Sequence, residues 1–114
     1  MTKIINAPFG EIDSSVALTA TGSQAIAVEN RVTYVDGVTV EATGNRTIDL
    51  TIDSELPVGA ILFLAVKTNA TETTIFGTGI DSATITGVAG KTITQGFLYN
   101  GTAFLPFGTA QQID

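Results

Sequence analysis

Hydrophobic and polar residues alternate along short stretches of this chain, which is the pattern expected of β-strands. The clearest example is RTIDLTID at residues 46–53, where Ile48, Leu50 and Ile52 fall on one face and Thr and Asp residues fall on the other. A strand with this alternation packs one face on a core and turns the other to water. The pattern therefore predicts a half-buried strand over residues 46–53.

Turn residues separate this strand from similar runs on both sides. Asp36-Gly37 lies between RVTYV and VTVEA, and we interpret it as a two-residue hairpin turn, because type I′ turns need positive φ at both positions. Gly44-Asn45 then leads into the 46–53 strand, so residues 31–53 are predicted to form a meander. Further short strands are expected at residues 15–20, 24–29, 72–76, 83–86 and 91–99.

The overall pattern indicates an all-β protein. No stretch of ten or more residues shows a convincing 3.6-residue period, and Thr, Val and Ile, which favour pleated strands, are frequent. Short strands with turn signals every eight to twelve residues are typical of sandwiches and small barrels. We therefore predict a small antiparallel β-sandwich or β-prism of short strands, preceded by an extended N-terminal arm.

Residues 60–66, AILFLAV, are apolar on both faces of the expected strand. One face packs within its own domain, while the other is covered either by the centre of a sandwich or by a neighbouring subunit. Phe63 and Leu64 are the candidate interface residues of this strand.

Residues 1–14 differ from the rest, since their apolar residues follow no single period. They form either a frayed terminus or an arm whose apolar side chains dock on a partner. We interpret them as a docking arm carried by Ile4, Ile5 and Phe9, followed by a single β-domain over residues 15–114.

The composition excludes several kinds of chemistry. The 114 residues include no Cys, His or Trp, and five Lys and Arg against eleven Asp and Glu give a net charge of −6. A chain without His and Cys cannot build the usual catalytic triads or zinc sites, and an acidic chain without a basic cluster is poorly suited to nucleic acid. The longest apolar run has seven residues, too few to span a membrane, and the start lacks the apolar segment of a signal peptide.

Asp49, Asp53 and Glu55 are candidates for a catalytic pair of carboxylates, because their even spacing puts them on one face of a continuous strand. Leu56-Pro57 follows directly, and the sequence indicates no pocket that would raise a carboxyl pKa. We therefore interpret them as a solvated acidic face. The oxygen-rich loops 53–55 and 77–81 lack the spacing of a calcium motif, so we expect no catalysis, no metal and no cofactor.

The stretch GFLYNGTAFLPFG at residues 96–108 predicts an aromatic hairpin around Asn100-Gly101. Its aromatic residues either fill a core as cross-strand pairs or stack on sugar rings. Tyr99 and Phe104 are the candidate ligand-contacting residues of the second interpretation.

Residues 43–108 resemble a module of bacteriophage virion proteins that occurs in fibre, baseplate and head-decoration components. Three motifs carry the resemblance: ATGNRTIDLTI, LPVGAILFLAV and ITGVAGKTITQGFLYNGTAFLPFG. Tyr-Asn-Gly-Thr-x-Phe at 99–104 is the most recognisable part, although this chain has Phe104 where such modules usually carry Trp.

The resemblance implies a β-sandwich or β-prism unit, often trimeric, that assembles or decorates a particle. We therefore expect a head fibre or capsid decoration protein, made in the host cytoplasm without a signal peptide and present in the virion. Its expected partners are two further copies of itself and a capsid or fibre-base protein. The alternative is a carbohydrate-binding module that holds a host surface glycan.

Overall fold

The computed structural model describes residues 14–114, and residues 1–13 lie outside that range. Every regular element within it is a β-strand, so the all-β class predicted from the sequence is confirmed. In chain order the strands are β1 (Ser14–Ala17), β2 (Gly22–Val28), β3 (Val32–Ala42), β4 (Arg46–Ile52), β5 (Ile61–Thr68), β6 (Thr73–Phe76), β7 (Ile85–Thr86), β8 (Thr92–Tyr99) and β9 (Phe104–Gln112).

The strands form two mixed sheets. Sheet A has five strands in the order β1-β3-β5-β8-β9, and sheet B has four in the order β2-β4-β6-β7. Through the first six strands the chain alternates between the sheets, so each strand pairs in parallel with the one two places earlier. This is how a β-solenoid winds. The last three strands add in antiparallel fashion, β7 to β6, β8 to β5 and β9 to β8.

The predicted antiparallel arrangement is therefore wrong for β1 to β6 and right for β7 to β9. Alternation within a strand decides which side chains face the core, but it does not specify the direction of the neighbouring strand. The predicted meander over residues 31–53 is wrong as well, because β3 lies in sheet A and β4 in sheet B.

Asp36-Gly37 is not a hairpin turn, and both residues lie within β3. The Asp36 carboxylate accepts hydrogen bonds from the backbone N–H groups of Val38 (2.8 Å) and Thr39 (3.0 Å). At Gly37 a Cβ atom would lie 2.8 Å from the carbonyl oxygen of Ala65 on β5. The register between β3 and β5 shifts after Gly37, so the dipeptide marks an irregularity where two strands approach closely.

The aromatic hairpin predicted at residues 96–108 is confirmed, since β8 and β9 pair in antiparallel fashion. The Asn100 side-chain oxygen accepts hydrogen bonds from the backbone N–H groups of Thr102 and Ala103, both at 2.9 Å. Gly101 has a φ of 100°, a conformation that glycine adopts without steric cost. These local bonds fix the turn that brings the two aromatic strands together.

Side chains from both sheets share one hydrophobic core. The rings of Phe76 on sheet B and Phe97 on sheet A meet edge to face, with their centroids 5.3 Å apart. The inward residues predicted for the 46–53 strand occupy this core as expected, with Ile48 and Leu50 buried and Ile52 packed at its margin. Its largest fully buried apolar members are Leu18, Ile26, Val28, Val35, Ile48, Leu62, Leu64, Val66, Phe97 and Phe104.

Among residues 14–114, Arg46 at the start of β4 is the largest fully buried side chain. Its guanidinium donates hydrogen bonds to four backbone carbonyls: Nη1 to Thr19 (3.4 Å) and Val40 (3.0 Å), and Nη2 to Gly37 (3.1 Å) and Lys67 (3.2 Å). These carbonyls belong to β3, β5 and the β1–β2 connection. One side chain from sheet B is therefore hydrogen-bonded to two strands of sheet A and to a connection between the sheets.

Burial lowers the pKa of the Arg46 guanidinium, while the carboxylates of Glu72 and Asp36 raise it. Arginine nevertheless stays protonated at neutral pH. The buried charge is solvated by carbonyl dipoles, which are rigidly held by the strands that carry them. The Nε atom is buried without a hydrogen-bond partner, so this solvation is incomplete.

Replacing Arg46 with Met should lower the free energy of unfolding by about 3 kcal/mol, because the four carbonyls stay buried and lose their donor. Arg46→Lys should lose less, since an ammonium keeps the charge and reaches some of the carbonyls. Urea denaturation followed by circular dichroism measures both variants. A Met variant as stable as the wild type would show that these hydrogen bonds do not hold the layers together.

Thr33 on β3 is fully buried, and its hydroxyl has no hydrogen-bond partner. Thr33→Val should therefore raise the free energy of unfolding by about 1 kcal/mol, because it removes an unsatisfied polar group without changing the shape. Thr68→Val is the matched control: the Thr68 hydroxyl is also buried but donates to the carbonyl of Ala70 at 2.8 Å, so this variant should be destabilised. Equal effects in urea denaturation would contradict the assignment.

Candidate interaction surface

The two faces of β5 differ in their surroundings. Leu62, Leu64 and Val66 point into the core, whereas Phe63 points out of sheet A with 46% of its side chain exposed. The outer face of this apolar strand is thus not covered by residues 14–114. Of the two predicted interface residues, Phe63 lies on an open surface, while Leu64 faces the core, because neighbouring residues of a strand point to opposite sides.

Phe63 belongs to a row that crosses all of sheet A. The strand registers align Ser15, Tyr34, Phe63, Gly96 and Phe107 from β1 to β9. Tyr34 is 39% exposed and Phe107 is 46% exposed. We call these three exposed rings, Tyr34, Phe63 and Phe107, the aromatic row.

Gly96 gives the aromatic row its shape. A Cβ atom at this position would lie 2.5 Å from Cζ of Phe107, so the missing side chain lets that ring lean over β8. A groove with a volume of about 260 Å³ follows the row. Its lining residues are all uncharged: Tyr34, Phe63, Leu64, Ala65, Thr94, Gln95, Gly96, Phe107, Thr109 and Gln111.

A second row extends the apolar surface along the strands. The registers align Val32, Ile61, Leu98 and Leu105. Leu98 is exposed and the other three are partly buried. Aliphatic and aromatic side chains therefore cover two adjacent rows of one sheet face, a clustering that marks interaction sites more often than scattered exposed residues do.

One carboxylate lies beside the aromatic row. Asp36 follows Tyr34 on the same face of β3, and hydrogen bonds from Thr39 and Val38 hold the pKa of its carboxyl below the ordinary value. Burial raises the pKa of the Tyr34 hydroxyl, and the charge of Asp36 raises it further. At neutral pH the row itself is therefore uncharged, and Asp36 places an anion at its border.

The predicted ligand-contacting residues Tyr99 and Phe104 lie in the core instead. Phe104 is fully buried, and its ring centroid is 5.1 Å from that of Tyr99. The Tyr99 hydroxyl donates a hydrogen bond to the carbonyl of Gly101 at 3.0 Å. The structure thus places both residues in a buried cross-strand pair that closes the hairpin, and not on the open surface.

The acidic residues considered for catalysis support loops. The Asp49 carboxylate accepts a hydrogen bond from the backbone N–H of Thr78 at 2.8 Å, and Asp53 accepts one from that of Glu55 at 3.0 Å. Across residues 14–114 no group of three or more acidic side chains is arranged to hold a metal ion.

A larger groove, of about 540 Å³, separates β9 from residues 82–88. Ile85 and Ile93 are among its lining residues, which include no charged and no aromatic side chain. Such a lining offers neither an acid–base pair nor a ring on which a ligand could stack. The candidate surface is therefore the outer face of sheet A.

The remaining predicted interface residues, Ile4, Ile5 and Phe9, lie outside the described residues. Between residues 14 and 114 the structure contains no helix long and apolar enough to cross a membrane. Comparisons with protein-family models, curated proteins and solved structures found no match.

Proposed function

We propose that this protein is a structural subunit of a bacteriophage particle, a head fibre or capsid decoration protein that acts by assembly and surface binding. The observation that carries the proposal is the outer face of sheet A, where three large exposed rings line an uncharged groove. The motifs of residues 43–108 support the virion context.

Assembly is the role that this surface suits best on physical grounds. Fully burying an aromatic or large aliphatic side chain contributes about 1.5–3 kcal/mol. A partner that covered the aromatic row and Leu98 would therefore gain several kcal/mol of binding free energy. We propose that a homotrimer buries this face, and that the particle partner is a capsid or fibre-base protein. We propose that the protein is made in the host cytoplasm and is located in the virion.

A host glycan is the second candidate ligand, and the exposed rings favour it for one reason. Tyr34, Phe63 and Phe107 lie beside Thr and Gln side chains in one groove, so a sugar could stack on the rings while its hydroxyls bond to the polar groups. We propose no catalytic role, because the carboxylates Asp49 and Asp53 serve as local hydrogen-bond acceptors.

Light scattering after size exclusion should give the wild type a mass near three times the 11.8 kDa of one chain. Phe63→Lys should shift the mass toward one chain, because a charge would be buried without a partner. Ile75→Lys is the matched control: Ile75 is 38% exposed but lies on sheet B, so its mass should stay unchanged. A wild-type mass of one chain would argue against assembly, and glycan-array binding lost only in Phe63→Lys would then favour the glycan candidate.

A particle experiment tests the virion context. The chain should co-sediment with intact particles of the phage that encodes it through a density gradient, at a constant ratio to the major capsid protein. Particles made without the chain should lack a surface projection in electron micrographs but keep their DNA. Purified particles that never contain its peptides would contradict the proposal, whatever the oligomeric state.

A further inference from the structure

Sheet B has one strand fewer than sheet A. In sheet order, the four strands of sheet B match the first four of sheet A, so β9 has no counterpart. Pro106 and Gln112 on β9 accordingly stay exposed and line the groove between β9 and residues 82–88, whereas Phe104 on the same strand is fully buried. The groove therefore lies where a fifth strand of sheet B would run.

We propose that an extended segment of a capsid or fibre-base protein fills this groove as a fifth strand of sheet B, paired with β7. Addition of a peptide strand to an open sheet edge is a recurring mode of recognition. The identity of the partner rests on the proposed function, whereas the site itself does not.

The first argument is the free backbone of β7. Within the described part of the chain, β6 is the only strand that pairs with β7. The N–H of Gly87 donates to the carbonyl of Glu72 at 2.9 Å, so Gly87 and Ile85, two residues earlier, turn their backbone groups toward β6. Thr84 and Thr86 therefore direct their N–H and C=O groups away from β6, on the side of the groove. These are the donors and acceptors that an added strand needs.

The second argument is that β9, the other strand along the groove, has an edge that resists pairing. Pro106 has no N–H to donate. The register with β8 is irregular beyond Phe107, and the Gln95 Nε2 group donates to the carbonyls of Phe107 (3.1 Å) and Gly108 (3.4 Å). Proline and bulges are common protections of edge strands. Residues 83–86, ATIT, contain no proline, glycine or charge, so the unprotected edge is that of β7.

The third argument is the chemistry of the lining, which includes the buried side chains of Ile85 and Ile93 and no charged residue. Burying an unpaired charge is costly, so the inserted segment must be uncharged where it faces β9. The volume of about 540 Å³ is within the range of sites that hold a drug-sized ligand, so it accommodates several side chains. A segment with aliphatic residues at alternate positions meets both requirements.

The source of the strand is a different protein because the described strands of a second copy are already in use. Each of β1 to β9 is paired within its own sheet, and the inward residues of these strands form the core of their own sandwich. A copy that lent one of them would have to open that core. A partner with a free extended segment has no such cost.

Hydrogen exchange tests the site with a defined probe, the neutral peptide acetyl-TVTVTVT-amide. The full-length chain is labelled with ¹⁵N, and amide exchange is followed by NMR with and without the peptide. At saturation, exchange of the Thr84 and Thr86 amides should slow by at least about tenfold, because both become hydrogen-bonded. Ala25 and Ala27, exposed residues of β2 at the other edge of sheet B, should be unchanged.

Three results would overturn the site. Slow exchange of Thr84 and Thr86 without peptide would mean that the chain itself fills the place. Equal protection of Ala25 and Ala27 would mean that the peptide adds to any sheet edge. Unchanged exchange at the highest soluble peptide concentration would mean that the groove does not accept a strand.

A matched pair of variants separates the backbone of β7 from its side chains. Thr86→Pro removes the outward N–H and puts a ring in its place, while Ile85 and Gly87 still bond to β6. It should weaken peptide binding by at least about tenfold. Thr86→Val keeps the N–H and should bind like the wild type. Equal affinities of the two variants would contradict pairing through the backbone.

Photocrosslinking in particles identifies the source of the strand. The chain has no cysteine, so Thr86→Cys carries one benzophenone maleimide, and Ser23→Cys on β2 is the control. Light should join Thr86→Cys, and not the control, to a capsid or fibre-base protein. A bond between two copies of this chain, or none above control, would overturn the partner. Particles without the chain would overturn the proposed function but leave the peptide result standing.

Discussion

The two layers of this protein are joined by a buried cation that donates its hydrogen bonds to backbone carbonyls. The guanidinium of Arg46 is hydrogen-bonded to four carbonyl oxygens on β3, β5 and the β1–β2 connection. Desolvating this charge is costly, and only carbonyls fixed in one arrangement can compensate for it. The relative position of the sheets, the bulge that presents Gly37 and the entry into β2 therefore all depend on the same side chain. Burial of the apolar residues supplies most of the stability, while the arginine supplies geometry.

Much of the fold could be predicted from the sequence, and the errors have physical causes. The strand at 46–53 and the hairpin at 96–108 were predictable because their alternation and turn residues are local signals. The pairing was not, because a side chain's preference for the core is the same beside a parallel or an antiparallel neighbour. The hairpin turn predicted at Asp36-Gly37 was wrong for a related reason. The residues that favour a turn also suit a bulge, and only the contact with β5 distinguishes a bulge from a turn.

Only part of the candidate surface could be predicted from the sequence. An apolar strand without a polar face indicated a second cover, and Phe63 was identified on that basis. Because alternate residues of a strand face opposite sides, Leu64 then faces the core. The sequence does not show which of the two residues is buried when both faces are apolar. Tyr99 and Phe104 were candidates because exposed and buried aromatics look alike in a hairpin. Tyr34 and Phe107 were missed because their alignment with Phe63 exists only across β-strand registers that are far apart in sequence.

The winding of β1 to β6 has a consequence for how such a protein can change over evolution. Val32 and Ile61 are register partners on adjacent strands of sheet A, so the chain between them completes one coil and contributes one strand to each sheet. Duplication of a coil would lengthen the body by about 4.8 Å while leaving the capping strands β7 to β9 as they are. The length of the body is thus set by the number of whole coils. Each added coil also widens the face that the aromatic row crosses.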